Sequence, residues 1–323
     1  MVSDGAAGPY AVTSGPDGAL WFTLVHAGKI GRLAPHPHGP ASSVLPTAGE
    51  EEGAGEFVEF ALDPPSCGPT VITTGPDGAL WFTEYRAHRI GRITADGEVS
   101  HVSLPTAEAG PFGIAAGPDG ALWFTETAVD RIGRVTTEGE VGEFPLPVVG
   151  AFPSAITAGP DGALWFTMNQ ANAIGRITTA GRVTVFPLPT EGSAPVGITA
   201  GGDGALWFVE IGAGRIGRIT TDGGITEFPL PDAEARPHAI TADARGGCWF
   251  TEWGANRVGW IGADGELAEY DLPTPSSEPH GLVQGPDGAI WAALETGALA
   301  RLDSASLPRP SVPPTTPPGM RRS

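Results

Sequence analysis

Gly15–Thr23 reads GPDGALWFT, and the same nine residues return at Gly75–Thr83, Gly117–Thr125 and Gly159–Thr167. Weaker copies follow as GGDGALWFV from Gly201, ARGGCWFT from Ala244 and GPDGAIWAA from Gly285. Each copy carries one tryptophan: Trp21, Trp81, Trp123, Trp165, Trp207, Trp249 and Trp291. From Trp81 on the spacing is 42 residues, while the first gap is 60, longer by 18. A fixed period of this length signals a repeat architecture, here with seven copies.

Working outward, each copy reads as four short strands. Strand A follows a proline, as in PFGIAAG from Pro111. A Pro-Asp-Gly turn leads to strand B, ALWFTE; Pro at the second turn position and Gly at the fourth suit a type I turn. Strand C is the RIGRIT segment, and strand D is the alternating EFPLP or HVSLP segment. Four short strands in about 42 residues is the size of a propeller blade. The expected fold is all-β: one seven-bladed β-propeller over residues 1–302. The Trp and Phe of strand B are expected to form the packing between blades. The extra 18 residues fall within about 34–66, between strand C of blade 1 (Ile30–Leu33) and its strand D (Phe57–Leu62). Residues 303–323 are Pro-rich and aperiodic, and read as a flexible tail.

Composition sets the outer limits. Gly 48 and Pro 33 make a quarter of the 323 residues, a level at which disorder competes. Nine Trp, 13 Phe and 41% hydrophobic residues argue instead for a large core, with Gly and Pro punctuating short elements. The formal net charge of −19 repels phosphate backbones and anionic lipid, so neither nucleic acid nor membrane is expected as a partner. No apolar run approaches the roughly 20 residues of a membrane span. MVSDGAAGPY shows no basic start and no apolar stretch, so no secretory signal is read. Cys67 and Cys248 do not make a disulfide framework, and Cys248, in strand B, reads as core. A cytoplasmic monomer is expected.

The repeat supplies an internal control for function. A residue present in most blades is structural, and a functional one breaks the pattern. By this test the arginine of IGR (Arg32, Arg92, Arg134, Arg176, Arg218) is structural, and so is the glutamate three after Trp (Glu84, Glu126, Glu210, Glu252). The residue after the strand-A proline varies instead: Tyr10, Thr70, Phe112, Ser154, Val196, His238, His280. The residue before that proline is Gly8, Gly68, Gly110, Phe152, Ala194, Arg236, Glu278, and only blade 7 has a carboxylate there. Blade 7 also shifts its strand-B glutamate to four after Trp, at Glu295. Strand alternation puts the start of A and the end of B at one end of the ring, with the insertion at the other. Blades 6, 7 and 1 are contiguous, so Tyr10, His238, Glu278, His280 and Glu295 should meet at one mouth of the channel. Two carboxylates suit Mg²⁺, which keeps several waters. An imidazole beside them can act as general base. Together they fit proton abstraction next to a carbonyl; the alternatives are a non-catalytic binding propeller, or a lyase-like enzyme acting on another peptide or ester. No G-x-S-x-G elbow, H-E-x-x-H or phosphate loop is present.

These motifs resemble the virginiamycin B lyase (streptogramin B lyase) family. The resemblance runs over about residues 8–302. It is most specific in ARPHAITA (Ala235–Ala242), WFTEWGAN (Trp249–Asn256), SEPHGL (Ser277–Leu282) and IWAALE (Ile290–Glu295). It implies an Mg²⁺-dependent carbon–oxygen lyase that linearises cyclic depsipeptide antibiotics by elimination at an ester, without adding water. By the resemblance Glu278 and Glu295 bind the metal, and His280 is the catalytic base. His238, Glu295 and Tyr10 meet the substrate. The sequence departs from the pattern at Trp260, which replaces the IGR arginine, and at Ala292, which replaces the strand-B Phe. The family also has an N-terminal strand that completes blade 7. MVSDGAA is too short and too rich in Gly and Ala to supply it, so either the chain starts late or blade 7 closes differently.

Overall fold

The computed structural model describes residues 7–34, 56–305 and 307. Six four-stranded antiparallel sheets and one three-stranded sheet follow each other along the chain, and the described residues contain no helix. In blade 1 the strands are A, Pro9–Ser14; B, Leu20–Leu24; C, Lys29–Ala34; and D, Glu56–Ala61, one residue earlier than the sequence suggests. The other blades repeat this order. The A strands line the channel, and A of blade 7 (Pro279–Gln284) packs against A of blade 1, closing the ring. The seven-bladed propeller is therefore what the chain forms. Blade 7 consists of A, B (Ile290–Leu294) and C (Ala298–Leu302), with no D strand among the described residues. Residues 35–55, the heart of the insertion, and 308–323 of the tail lie outside the described residues. Ala34 pairs with Glu56, at the opposite end of the blade from the Pro9–Leu24 pair.

Each blade-to-blade junction is a separate apolar core. Alternation along strand B points Trp21 toward blade 2, where it meets Leu80 and Phe82, and Phe22 back toward blade 7, where it meets Trp291 and Ala293. Seven such clusters close the circle. Most of the tryptophans stack on the strand-D aromatic of their own blade, as Trp123 does on Phe144 at 5.4 Å. The indole nitrogen is satisfied by the turn aspartate. In blade 3 Trp123 Nε1 donates to Asp119 Oδ1 at 3.0 Å, Arg134 Nε donates to Asp119 Oδ2 at 2.7 Å, and the guanidinium lies over the indole. That corner gives the recurrent PDG, W and IGR residues one shared structural task. Cys67 and Cys248 are both buried and free.

The glycine of IGR has its own cause. Phe124 lies across Gly133, and a Cβ there would sit 2.1 Å from the ring. Blade 7 shows the complement: where Phe becomes Ala292, the facing residue is Ala300 rather than Gly. Gly133→Ala should therefore destabilise by about 1–3 kcal/mol through overpacking. Made in a Phe124→Ala background, the same change should cost much less. Urea unfolding of the two single variants and the double variant measures that coupling.

Candidate functional site

Every strand A carries a bulge between its proline and the residue three positions on, as at Pro9/Val12 and Pro279/Leu282. A bulge re-aims a side chain. Here it presents the residue after the proline at one mouth of the channel. Below the mouth the channel holds a cavity of about 180 Å³ walled by aliphatic side chains such as Val12, Ile114, Ile198 and Leu282.

At that mouth Tyr10, His238 and His280 form one cluster. Ring centroids are 4.7 Å apart for Tyr10 and His280, 4.6 Å for the two histidines, and 5.8 Å for Tyr10 and His238. The Tyr10 hydroxyl lies 3.4 Å from His238 Nε2. His280 Nε2 lies 2.6 Å from Glu295 Oε2, and the other oxygen of Glu295 is 2.8 Å from His26 Nε2. The Glu295 backbone N–H donates to the Glu278 carbonyl at 3.2 Å, which ties the two carboxylate-bearing residues together. The Glu278 side chain is exposed and makes no hydrogen bond or ion pair among the described residues. Four of the five expected residues thus touch one another, and the fifth adjoins them through the backbone. His26 is an addition. It sits in the B–C loop of blade 1, five residues after Trp21, a position that also changes identity from blade to blade: Arg86, Ala128, Gln170, Gly212, Gly254. The between-blade comparison would have found it had it been extended to that loop.

Burial dominates the electrostatics. It pulls His238 down to about 3, helped by His280, so the ring is neutral at ordinary pH. Burial also lowers His280, against an opposing hydrogen bond and charge from Glu295. For Glu295 burial acts upward, but the hydrogen bonds from His26 and His280 prevail and hold it below the usual carboxylate range. Burial, then the Glu295 charge, push the Tyr10 phenol well up. With Nε2 engaged by Glu295, the Nδ1 of His280 is buried and has no partner. A carboxylate that holds one ring nitrogen as N–H leaves the other as a lone-pair base.

The donor set can also be tested for a cation. No group of three or more His, Cys, Asp or Glu suited to a metal occurs among the described residues. What is present is one unpaired carboxylate, Glu278, and one neighbouring carboxylate with lone pairs left over. That fits a hard ion that retains its waters and not a closed zinc-type cage.

One backbone feature belongs to the same mouth. The residue before the strand-A proline has positive φ in every blade: 67° at Gly8, 64° at Gly68, 60° at Gly110, then 50° at Phe152, 48° at Ala194, 50° at Arg236 and 51° at Glu278. Glycine adopts this freely, whereas an L-residue pays about 1–2 kcal/mol. Blades 4–7 keep side chains where blades 1–3 have none.

The matches to known proteins agree with this geometry. The family model for the virginiamycin B lyase family matches residues 1–302. The chain belongs to the virginiamycin B lyase family. Relatives named virginiamycin B lyase are 44% identical over 99 residues in Nocardia farcinica and 60% identical over 95 residues in Saccharopolyspora erythraea. Those stretches cover 31% and 29% of this chain, and only 28% and 25% of the relatives' own lengths. Solved structures extend the likeness. A streptogramin B lyase superposes with TM-score 0.84 at 44% identity over 93% of this chain and 94% of that one. A catalytically inactive histidine-to-alanine virginiamycin B lyase from Staphylococcus aureus, crystallised with quinupristin, gives 0.84 at 43% identity, covering 93% of this chain and 96% of that one.

The recurrent glutamates prove structural and set a pH dependence. Glu126 is buried opposite Glu143, which accepts hydrogen bonds from Thr106 Oγ1 at 2.6 Å and Arg131 Nη1 at 3.2 Å. Burial, then the Glu143 charge, raise Glu126 to about 8; burial likewise raises Glu210, opposite Glu227, to about 7. Blade 6 repeats the arrangement, and burial, then the charge of Glu269, raise Glu252. In blade 2 His101 replaces the second carboxylate, 2.9 Å from Glu84. Groups that keep their proton in the folded state above the unfolded pKa add stability at low pH and lose it as pH rises through the folded values. Tm should fall as pH rises from about 4.5, the unfolded carboxyl value, to about 8, and level off above that. Glu126→Gln, which keeps a donor toward Glu143 without titrating, should flatten part of that fall in a thermal melt series.

Proposed function

We propose that this chain is a Mg²⁺-dependent carbon–oxygen lyase that opens streptogramin B-type cyclic depsipeptides by elimination at the ester. The carrying observation is the His280–Glu295 pair at the channel mouth: a ring whose Nε2 is held at 2.6 Å and whose Nδ1 is buried without a partner. Family membership and the likeness to a streptogramin B lyase over nearly the whole chain support the substrate class.

In this reading Glu295 orients His280 and fixes its tautomer, with His26 steadying the second oxygen of Glu295. His280 takes the proton from the carbon β to the ester oxygen. The C–H electrons become a C=C bond, the C–O bond breaks, and the carboxylate leaves with no water consumed. Neutral His238 and the Tyr10 hydroxyl flank the base and bind the substrate. Mg²⁺ held by Glu278 and Glu295 would polarise a substrate carbonyl oxygen and acidify the adjacent C–H. Among the described residues the mouth position equivalent to His280 carries one serine, Ser154, in blade 4, and its hydroxyl donates to the Phe152 carbonyl at 3.4 Å.

Incubation with a streptogramin B and Mg²⁺ tests the proposal. The linear product should have the mass of the cyclic substrate and a new ultraviolet absorption. His280→Ala should lose about 10²–10⁴-fold in rate, the range for a general base. Glu278→Gln should abolish Mg²⁺-dependent turnover and leave Tm nearly unchanged, because its carboxylate has no structural partner. A product heavier by one water, or one carrying labelled solvent oxygen, rules out elimination.

A further inference from the structure

Glu278 shares its strained backbone position with Arg236 in the neighbouring blade, and the two line one cleft. This cleft, about 460 Å³, runs between blades 6 and 7 along Glu234, Arg236, Trp253, Asn256, Ser276 and Glu278. Its size suits part of a small ligand. Arg236 is exposed, its φ is 50°, and its guanidinium has no acceptor among the described residues. The guanidinium carbon instead lies 5.5 Å from the centre of the Trp253 ring. Trp253 Nε1 is itself buried with no acceptor. The backbone joins the pair as it joins the two candidate metal ligands: Trp253 N–H donates to the Arg236 carbonyl at 3.1 Å, as Glu295 N–H does to Glu278.

Three facts therefore coincide. A residue other than glycine holds a position at which blades 1–3 use glycine. Its planar fork of N–H donors lies over an indole and meets no acceptor among the described residues. A second donor, the N–H of that indole, is buried and also has no partner among the described residues, which is costly in a buried place. Unused donors that the fold strains to retain mark a place where a ligand supplies the acceptors. The cleft reaches Glu278, one of the two carboxylates of the proposed reaction.

We infer that Arg236, stacked on Trp253, is a specificity-determining residue that binds backbone carbonyl oxygens of the depsipeptide ring beyond the scissile ester. The inference rests on the proposed lyase reading and refines it. A guanidinium stacked on an aromatic face presents several N–H donors in one plane, and the acceptors that a cyclic depsipeptide ring offers them are its carbonyl oxygens.

Steady-state kinetics on the parent, Arg236→Gly and Ala194→Gly separate the possibilities. Arg236→Gly introduces the residue that blades 1–3 use, so it should fold with a Tm no lower than the parent. Its KM for a streptogramin B should rise about tenfold, the scale of a lost hydrogen bond to a charged group, and kcat/KM should fall in parallel. Ala194→Gly relieves the same strain in blade 5, away from the cleft. It should leave KM within twofold of the parent. A KM for Arg236→Gly within twofold of the parent overturns the inference, as does an equal KM rise in Ala194→Gly. A parent that neither turns over nor binds a streptogramin B overturns the proposed function and this inference with it, and that result differs from a fully active parent with an unaffected Arg236→Gly.

Discussion

The hydroxyl of the strand-B threonine ties one blade to the next. In blade 1 Thr23 Oγ1 accepts the N–H of Ala11, which the strand-A bulge removes from the sheet ladder, and donates to the Thr70 carbonyl of blade 2 at 2.7 Å. Thr83, Thr125, Thr167 and Thr251 do the same toward Phe112, Ser154, Val196 and His280. Without this oxygen the bulge would leave a buried donor unpaired, at about 1–3 kcal/mol each. The acceptor is always the residue after the proline, the ring position where side chains differ. The structural bond therefore holds the backbone of the functional position and leaves its side chain free to change. His280 receives this support from Thr251. Val209 and Ala293 stand where threonine would reach His238 and Tyr10, so two members of the cluster lack the tie and depend on their mutual contacts.

The remaining repeat residues drift only in compensating sets. In blade 6 the turn aspartate disappears, and Asp243, two residues before its usual place, takes over. It accepts from Trp249 Nε1 and Trp260 Nε1, each at 3.2 Å, so a second indole does the work of the IGR arginine. Gly247 makes room, since a Cβ there would lie 2.6 Å from the Trp260 ring. Blade 7 exchanges the Phe and Gly pair for two alanines. Both departures visible in the sequence are thus one half of a matched change, and neither touches the mouth. The glutamates that recur behind the mouth follow the same logic. Each is matched across strand C by a second carboxyl or by His101, and a basic residue begins strand C in each of those blades.

Much of this was legible because the chain prints its own alignment. Trp81 to Trp291 at a constant 42 gives the blade number, and strand alternation gives the common face of Tyr10, Glu278 and Glu295. Subtracting the common residues leaves His238 and His280. Other features were hidden for physical reasons. The left-handed backbone before the proline shows as glycine in blades 1–3 only, so the strain in blades 4–7 leaves no compositional trace. His26 reaches Glu295 from a loop of a different blade, and only ring closure brings it there. Trp253 lies in WFTEWGAN, a stretch the family resemblance marks, but the isolation of its N–H is a matter of packing that no sequence pattern shows. Blade 7 was expected to lack material for a fourth strand, and the described residues show three.

Strain and function then divide the ring unevenly. Blades 1–3 place Gly8, Gly68 and Gly110 before the proline and gain a relaxed backbone with no side chain. Blades 4–7 accept the left-handed cost and gain four side chains around the mouth, among them the apolar Phe152, 36% exposed, opposite in character to Arg236 and Glu278. Cores with seven near-identical junctions can carry such local costs, because each blade contributes its own cluster and none depends on the mouth for packing. The same independence holds in blade 7, for which the described residues give three strands: its Trp291, Ala293 and Leu299 are already buried against Leu20, Phe22 and Leu24 of blade 1. The least regular blade is therefore also the one that carries Glu278, His280 and Glu295, and the stability that permits this comes from the regular blades around it.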